Sequence, residues 1–176
     1  MTTKLFRKIH DIKPHLLEKN AAYLAGLIDG EGTFCLRKFG STSLRFTPLI
    51  SIAMSHEPTI AFAANVFGVS YGKIRRRKKI SYHKDMFRLL VTTRKEIKQI
   101  AQALLPFAIT KRKQIELMLS YLALEEDTSE KQNMKSKEKT LKEIDIYIDI
   151  KKENERGPPS DYEKIRKKLI AIANEQ

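Results

Sequence analysis

Hydrophobic and polar residues alternate in four segments of the chain, which predicts strands. Between and after these segments apolar residues recur about every 3.6 residues, which predicts helices. The clearest strand runs from Thr47 to Met54, where Ile50, Ile52 and Met54 share one side. Further strands are predicted from Thr33, over Tyr71–Ile80 and over Met86–Thr93. Helices are predicted over Tyr23–Ile28, Pro58–Phe67, Arg94–Leu105, Lys111–Leu124, Lys139–Glu155 and from Ser160 onward.

The resulting order is α-β-β-α-β-β-α-α followed by a helical tail. It predicts an α+β fold in which helices cover one face of a four-stranded antiparallel sheet, and the other face stays open. We expect one domain over residues 1–176, made of an N-terminal arm (1–20), a core (21–125) and a helical tail (126–176).

Several single residues are expected to mark element ends. Pro14 should interrupt a short helical piece in the arm, and Asn20 is a candidate N-cap for the helix that follows. Phe62 is expected on the buried face of its helix. Ser160 is expected to cap the last helix, because it follows the helix-breaking Gly-Pro-Pro sequence.

Charge narrows the class of partner. The 176 residues include 34 Lys and Arg against 21 Asp and Glu, a formal net charge of +13. This excess predicts a polyanion as partner, nucleic acid first and an anionic membrane second. No apolar run approaches the roughly 20 residues of a membrane span. Cys35 is the only cysteine and the four histidines are scattered, which excludes an intrachain disulfide and a cysteine zinc site. We expect an intracellular protein, in an organelle or a prokaryotic cytoplasm.

The stretch Tyr23–Phe34 reads Y-L-A-G-L-I-D-G-E-G-T-F and carries the most information. Ala22, Gly26 and Gly30 are spaced four apart, so a helix would present them as a stripe without side-chain bulk. Glycine inside a helix costs roughly 0.5–1 kcal/mol relative to alanine, and a closely approaching second backbone could compensate. Glu31 falls at the helix C-terminus, where the macrodipole disfavours an anion and a cation is expected. A glycine-capped helix with an acidic turn is the alternative, whereas a Rossmann fingerprint fits poorly because the glycines follow the helix.

The whole string closely resembles the signature of the LAGLIDADG homing endonucleases, here L-A-G-L-I-D-G-E-G. It occurs once, as in the homodimeric members of that family. The segment Pro106–Gln114, P-F-A-I-T-K-R-K-Q, is similar to the Pro-Phe…Lys-x-Lys-Gln segment of these members. The resemblance implies a saddle of four strands that sits in the DNA major groove.

The resemblance also implies roles for individual residues. Glu31, with Gly30 beside it, would hold the catalytic Mg²⁺, which Mn²⁺ or Ca²⁺ could replace. Lys111 corresponds to the active-site lysine, although a simple phosphate contact is the alternative, and His56 could order solvent. Ile60 stands where some relatives carry a basic residue. The interface of the homodimer would be formed by Ala22, Gly26, Asp29 and Gly30.

The basic positions of the strands predict the DNA contacts. Alternation groups Lys73, Arg75 and Arg77 on one side, with Arg37 and Arg88 expected to share it. Arginine in a major groove can bind guanine in a bidentate manner. A solvated run of charge is the alternative. The full predicted DNA-binding set is Arg37, Arg45, Ser51, Lys73, Arg75, Arg77, Arg88 and Lys113.

Together these observations predict a homodimeric, Mg²⁺-dependent endonuclease that cuts both strands of a long, roughly palindromic DNA site. The alternative is a nucleic-acid binder that does not cleave, either an RNA maturase or a DNA-binding regulator on the same scaffold. Retention of Glu31 and Lys111 favours the nuclease.

Overall fold

The computed structural model of the chain describes residues 12–40, 43–74, 84–126 and 137–174. The N-terminal half contains α1 (Pro14–Lys19), α2 (Ala21–Glu31), β1 (Gly32–Lys38), β2 (Phe46–Met54) and α3 (Glu57–Phe67). The C-terminal half contains β3 (Tyr71–Lys73), β4 (Phe87–Val91), α4 (Arg94–Leu104), α5 (Arg112–Glu126), α6 (Lys137–Glu153) and α7 (Tyr162–Asn174). This order confirms the predicted α+β succession.

The four strands form one antiparallel sheet in the order β1-β2-β4-β3. Phe34 of β1 pairs with Ile50 of β2, and Ile50 pairs with Val91 of β4. At the far edge Tyr71 of β3 pairs with Leu89. The predicted four-stranded antiparallel sheet is therefore confirmed.

One face of the sheet is buried beneath the helices. Phe34, Ile50, Ile52, Leu89 and Val91 are completely buried there. On the opposite face Thr33, Cys35, Ser51 and Ala53 remain partly exposed, whereas Leu49 is buried. The period of two in the sequence is therefore the signature of a sheet with one buried and one open face.

Three local predictions are wrong and one holds only in part. Pro14 begins α1 instead of interrupting it, since proline is tolerated at the first helical position. Asn20 occupies the N-cap position of α2, as predicted, but its side chain does not cap that helix and instead donates to Leu16 O of α1 at 2.8 Å. Asp161, not Ser160, accepts from the backbone N–H of Lys164, at 2.9 Å, and caps α7. Phe62, predicted to be buried, is 37% exposed.

The C-terminal helices pack onto the core. The ring of Tyr147 in α6 stacks on Phe46 of β2 at 4.7 Å. Tyr121 of α5 donates its buried hydroxyl to Phe46 O at 2.9 Å. Arg166 of α7 forms an ion pair with Asp145 of α6 at 2.7 Å. Within the described ranges, none of the helices has the length and apolar character needed to cross a membrane.

Candidate functional site

Helix α2 turns a face without side-chain bulk toward solvent. Leu24, Ala25 and Ile28 are buried against the core, whereas Ala22, Gly26 and Gly30 are exposed. A Cβ atom built on Gly26 or Gly30 would meet nothing within 4 Å. The chain itself therefore gives no reason for glycine at these two positions.

Large apolar side chains are exposed beside this face. Tyr23 is 53% exposed and contacts Phe62 edge to face, with ring centroids 5.7 Å apart. Near the other end of α2, Phe107 is 50% and Ile109 85% exposed. Exposed apolar side chains thus flank the small-residue face of α2 at both of its ends.

Glu31 is the last residue of α2 and is exposed. Gly32 follows in an extended conformation and begins β1, so the chain passes from helix to strand without a loop. A Cβ on Gly32 would lie 2.7 Å from Ile28 Cα and 2.8 Å from Ile28 O. Glycine at this position is therefore what allows the strand to leave so close to the helix, with the Glu31 carboxylate at the junction.

Asp29 faces its own chain. Its Oδ2 accepts from the backbone N–H of Ile109 and its Oδ1 from that of Lys111, each at 2.8 Å. Both carboxylate oxygens are thus engaged by the turn that precedes α5. This contact joins the end of α2 to the residue predicted as the active-site lysine.

Lys111 and Lys113 lie at the start of α5 in different environments. Lys111 comes immediately before the helix and is only 8% exposed, while Lys113 is exposed in the first turn. A lysine is seldom this buried without a functional or structural reason.

His56 lies at the same end of the sheet as Glu31. Gly32 pairs with Ile52 in β2, and β2 then ends shortly before His56. The ring is exposed, and Nδ1 lies 2.8 Å from Thr59 Oγ1 in the first turn of α3. Ile60 is completely buried in the core, so it contributes nothing to the site.

The register places three of the predicted DNA contacts on the open face. Arg37 pairs with Thr47, and Ser51 pairs with Thr33. Arg88 lies between Ala53 and Gly72, which leave space on both sides of it. Outside the strands, Arg45 is exposed just before β2.

The grouping of Lys73 with Arg37 and Arg88 is wrong. Lys73 pairs with Phe87, and residues directly opposite in a sheet point to the same side. Lys73 therefore lies on the helix side of the edge strand, where it forms an ion pair with Asp85. Arg75 and Arg77 lie outside the described residues.

Cys35 occupies the open face between Thr33 and Arg37. Burial raises the pKa of its thiol, and the neighbouring Arg37 guanidinium lowers it to a smaller extent. The thiol is consequently protonated near neutral pH.

The oxygen donors near Glu31 suit a hard cation but do not complete a site. The Glu31 carboxylate is exposed, and the carbonyl group of Gly30, in the last turn of α2, has no intrahelical partner. Among the described residues no three His, Cys, Asp or Glu side chains cluster as metal ligands.

Two polar residues next to this region were missed by the sequence analysis. Gln114, 2% exposed, donates to Glu153 O at 2.9 Å, and Asn154 donates to Phe34 O at 2.7 Å. Gln114 could have been found, because it ends the Pro106–Gln114 segment. Asn154 lies in the predicted helical tail, in which no site residue was expected.

No protein-family model matches the sequence, and no curated protein matches it. Solved structures do resemble it. One is the homing endonuclease I-CvuI, in complex with the I-CreI target in the presence of Mg. Its sequence is 16% identical to this one, and the TM-score is 0.63. The match covers 91% of this chain and 98% of that chain. The archaeal intron-encoded homing endonuclease I-Vdi141I, complexed with DNA, is 16% identical with a TM-score of 0.66, covering 90% and 96%.

A longer protein matches in part. The LAGLIDADG meganuclease I-CpaMI, bound to uncleaved DNA, is 15% identical with a TM-score of 0.56; the match covers 87% of this chain but 50% of that chain. These likenesses show that the chain has the fold of the LAGLIDADG homing endonucleases, which confirms the fold predicted from the motif.

Proposed function

We propose that the chain belongs to the LAGLIDADG homing endonucleases and acts as a homodimeric, divalent-metal-dependent endonuclease on a specific double-stranded DNA site. The observation that carries this proposal is the position of Glu31. It is exposed at the end of a helix face formed by Ala22, Gly26 and Gly30. The resemblance of the motif, the shared fold and the net charge of +13 all agree with this function.

A second copy would complete the site. If two α2 helices pack through their small-residue faces, a two-fold axis brings each Glu31 near its copy. The exposed side chains of Tyr23, Phe62, Phe107 and Ile109 would enlarge this interface with apolar surface. The partial match to I-CpaMI supports the same stoichiometry, because one copy of this chain corresponds to half of that protein.

Two carboxylates at the axis require a cation between them and the DNA. Two unit charges 4 Å apart repel by about 4 kcal/mol at an effective dielectric of 20, and a phosphate adds to this repulsion. Glu31, with the carbonyl group of Gly30, would hold Mg²⁺ or, in its place, Mn²⁺ or Ca²⁺, since hard oxygen ligands suit these ions. When bound, such an ion stabilises charge on a phosphate and lowers the pKa of a bound water.

Lys111 and His56 would act from the two sides of Glu31. Lys111 is only 8% exposed as a residue, and its ammonium group could stabilise the developing charge of a phosphate. The exposed His56 ring could orient a water molecule. Asp29 holds the backbone of Lys111 and is bound to two N–H groups already, which favours a structural role for it.

The open face of the sheet would lie in the DNA major groove. Arg37, Ser51 and Arg88 would read base edges there, and the exposed Arg45 and Lys113 would bind phosphates. Lys73, on the other side of the edge strand, would contact the DNA backbone. Arg75 and Arg77 keep their predicted role as DNA contacts.

The test is a selection followed by cleavage. A randomised duplex library is selected for binding in Ca²⁺, and the recovered DNA is then incubated with Mg²⁺ or with EDTA. We expect cleavage of both strands only with Mg²⁺. Specific DNA binding without cleavage would favour a regulator, and binding of structured RNA but not of duplex DNA would favour a maturase; either result contradicts the proposal.

A further inference from the structure

The C-terminal helix α6 is joined by hydrogen bonds to both elements that carry the candidate catalytic groups. At its end, Glu153 O accepts from Gln114 of α5, and Asn154 donates to Phe34 O of β1. Gln114 lies three residues after Lys111, and Phe34 three residues after Glu31.

Together with the hydrogen bond between Asp29 and Lys111, these contacts form a closed path of hydrogen bonds and backbone segments, which we call the circuit. From Glu31 the circuit runs back two residues to Asp29 and crosses at 2.8 Å to the backbone of Lys111. It continues along α5 to Gln114 and crosses at 2.9 Å to Glu153. It then returns through Asn154, at 2.7 Å, to β1 and so to Glu31. Every crossing joins residues that are distant in sequence.

The circuit has little freedom to move. Gln114 is 2% exposed, so its hydrogen bond is shielded from competing water. Asn154 also donates to Ile150 O at 2.9 Å, which fixes its amide on the end of α6. On the other side of Glu31, the contact between Gly32 and Ile28 leaves no room for β1 to shift toward α2.

We propose that Gln114 and Asn154 are positioning residues, which set the separation of Glu31 and Lys111 through the last turn of α6. This proposal rests on the proposed nuclease function. It makes the C-terminal helix part of the cleavage site, although neither residue contacts DNA or metal. Partners that orient metal ligands in this indirect way typically change metal affinity or activity 10–100-fold when they are replaced.

The experiment compares Asn154→Asp with Asn65→Asp. The first variant puts a carboxylate against the Phe34 carbonyl group, and the second makes the same change of charge at an exposed position of α3. Gln114→Met is paired with Gln102→Met as its control, because Gln102 lies exposed on α4. For each variant we measure the DNA dissociation constant in Ca²⁺, the single-turnover cleavage rate at saturating DNA, and the Mg²⁺ concentration at half-maximal rate.

We expect Asn154→Asp and Gln114→Met to lower the saturated rate by about tenfold or more and to raise the Mg²⁺ midpoint, with DNA affinity within about threefold of the wild type. The two controls should match the wild type in all three measurements. A loss of folding alone would reduce the active fraction without moving the Mg²⁺ midpoint, so the midpoint separates positioning from stability. An unchanged midpoint and rate in a cleaving protein would overturn this inference, whereas a wild type that does not cleave would overturn the proposed function instead.

Discussion

An ideal Cβ atom on Gly32 would lie 2.7 Å from the Cα atom of Ile28. Real Cβ atoms do not approach backbone this closely, and the Ile28 backbone cannot move because it belongs to the last turn of α2. The direct passage from α2 to β1, which presents Glu31 at the site, therefore depends on glycine at this position.

Gly32→Ala should destabilise the fold. Overpacking against backbone costs about 1–3 kcal/mol, and for a chain of this size each kcal/mol lowers Tm by about 2–4 °C. Thermal unfolding measures the effect. Gly157→Ala is the matched control, since a Cβ there meets nothing within 4 Å. Equal Tm values for the two variants would show that the helix-to-strand junction tolerates a side chain.

Glu31→Gln should abolish cleavage and leave specific DNA binding within about tenfold, because the amide removes the charge that a divalent cation requires. Gel-shift and cleavage assays on one substrate measure both properties. Glu116→Gln, an equal change of charge at an exposed position of α5, should cleave normally. Full activity in Glu31→Gln would remove this residue from the metal site.

Gly26→Leu should give a folded protein that is largely monomeric and no longer cuts both strands. Within one chain the added side chain meets open space, and leucine is a better helix former than glycine, so the single chain should still fold. In the proposed dimer the same side chain would collide with the second α2. Sedimentation measures the assembly, and Ala171→Leu on the exposed side of α7 is the control. A monomeric wild type, or a dimeric variant that cuts both strands, contradicts the proposed interface.

Arg88→Ala and Lys73→Ala should change DNA binding in different ways. Arg88 lies on the open face, so its loss should relax base preference at one or two positions, at about 1–3 kcal/mol. Lys73 lies on the helix side of β3, so its loss should weaken binding to all sequences alike. Selection from a randomised site distinguishes the two results. A change of base preference in Lys73→Ala would contradict the assignment of Lys73 to the side of the sheet that does not read DNA bases.

Cys35 offers a single-site probe of the open face. Because burial raises the pKa of its thiol, alkylation at pH 8 should be slower than in the chain unfolded in guanidinium chloride. Bound DNA should slow it further by several-fold, and high salt should remove that protection. Alkylation that bound DNA does not slow would mean that another surface binds the DNA.

The sequence predicted the sheet and its helical cover well, because each depends on local periodicity. Ile50 and Ile52 were assigned to one side of their strand by alternation, and both are completely buried. The face of Lys73 could not be assigned in this way, since it depends on how Tyr71 of β3 pairs with Leu89 of β4. Alternation orders residues within a strand but does not fix its register against a neighbour.

The caps and the positioning residues show a different limit. Asn20 lies between α1 and α2. Its side-chain amide donates to Leu16 O in α1 and does not cap α2. The partner of Asn154 lies 120 residues away in sequence, at Phe34. A hydrogen bond between such distant residues leaves no periodic trace in the sequence, so only the folded structure could reveal it.

The strand order also bears on solubility. The sheet has two edge strands, β1 and β3, and an unprotected edge can pair with the edge of another molecule and start aggregation. At one edge α6 packs against β1, and Asn154 occupies the carbonyl group of Phe34. At the other edge β3 is only three residues long and carries a charged lysine. Among the described residues, both edges of the sheet thus carry features that hinder sideways pairing and the growth of a fibril.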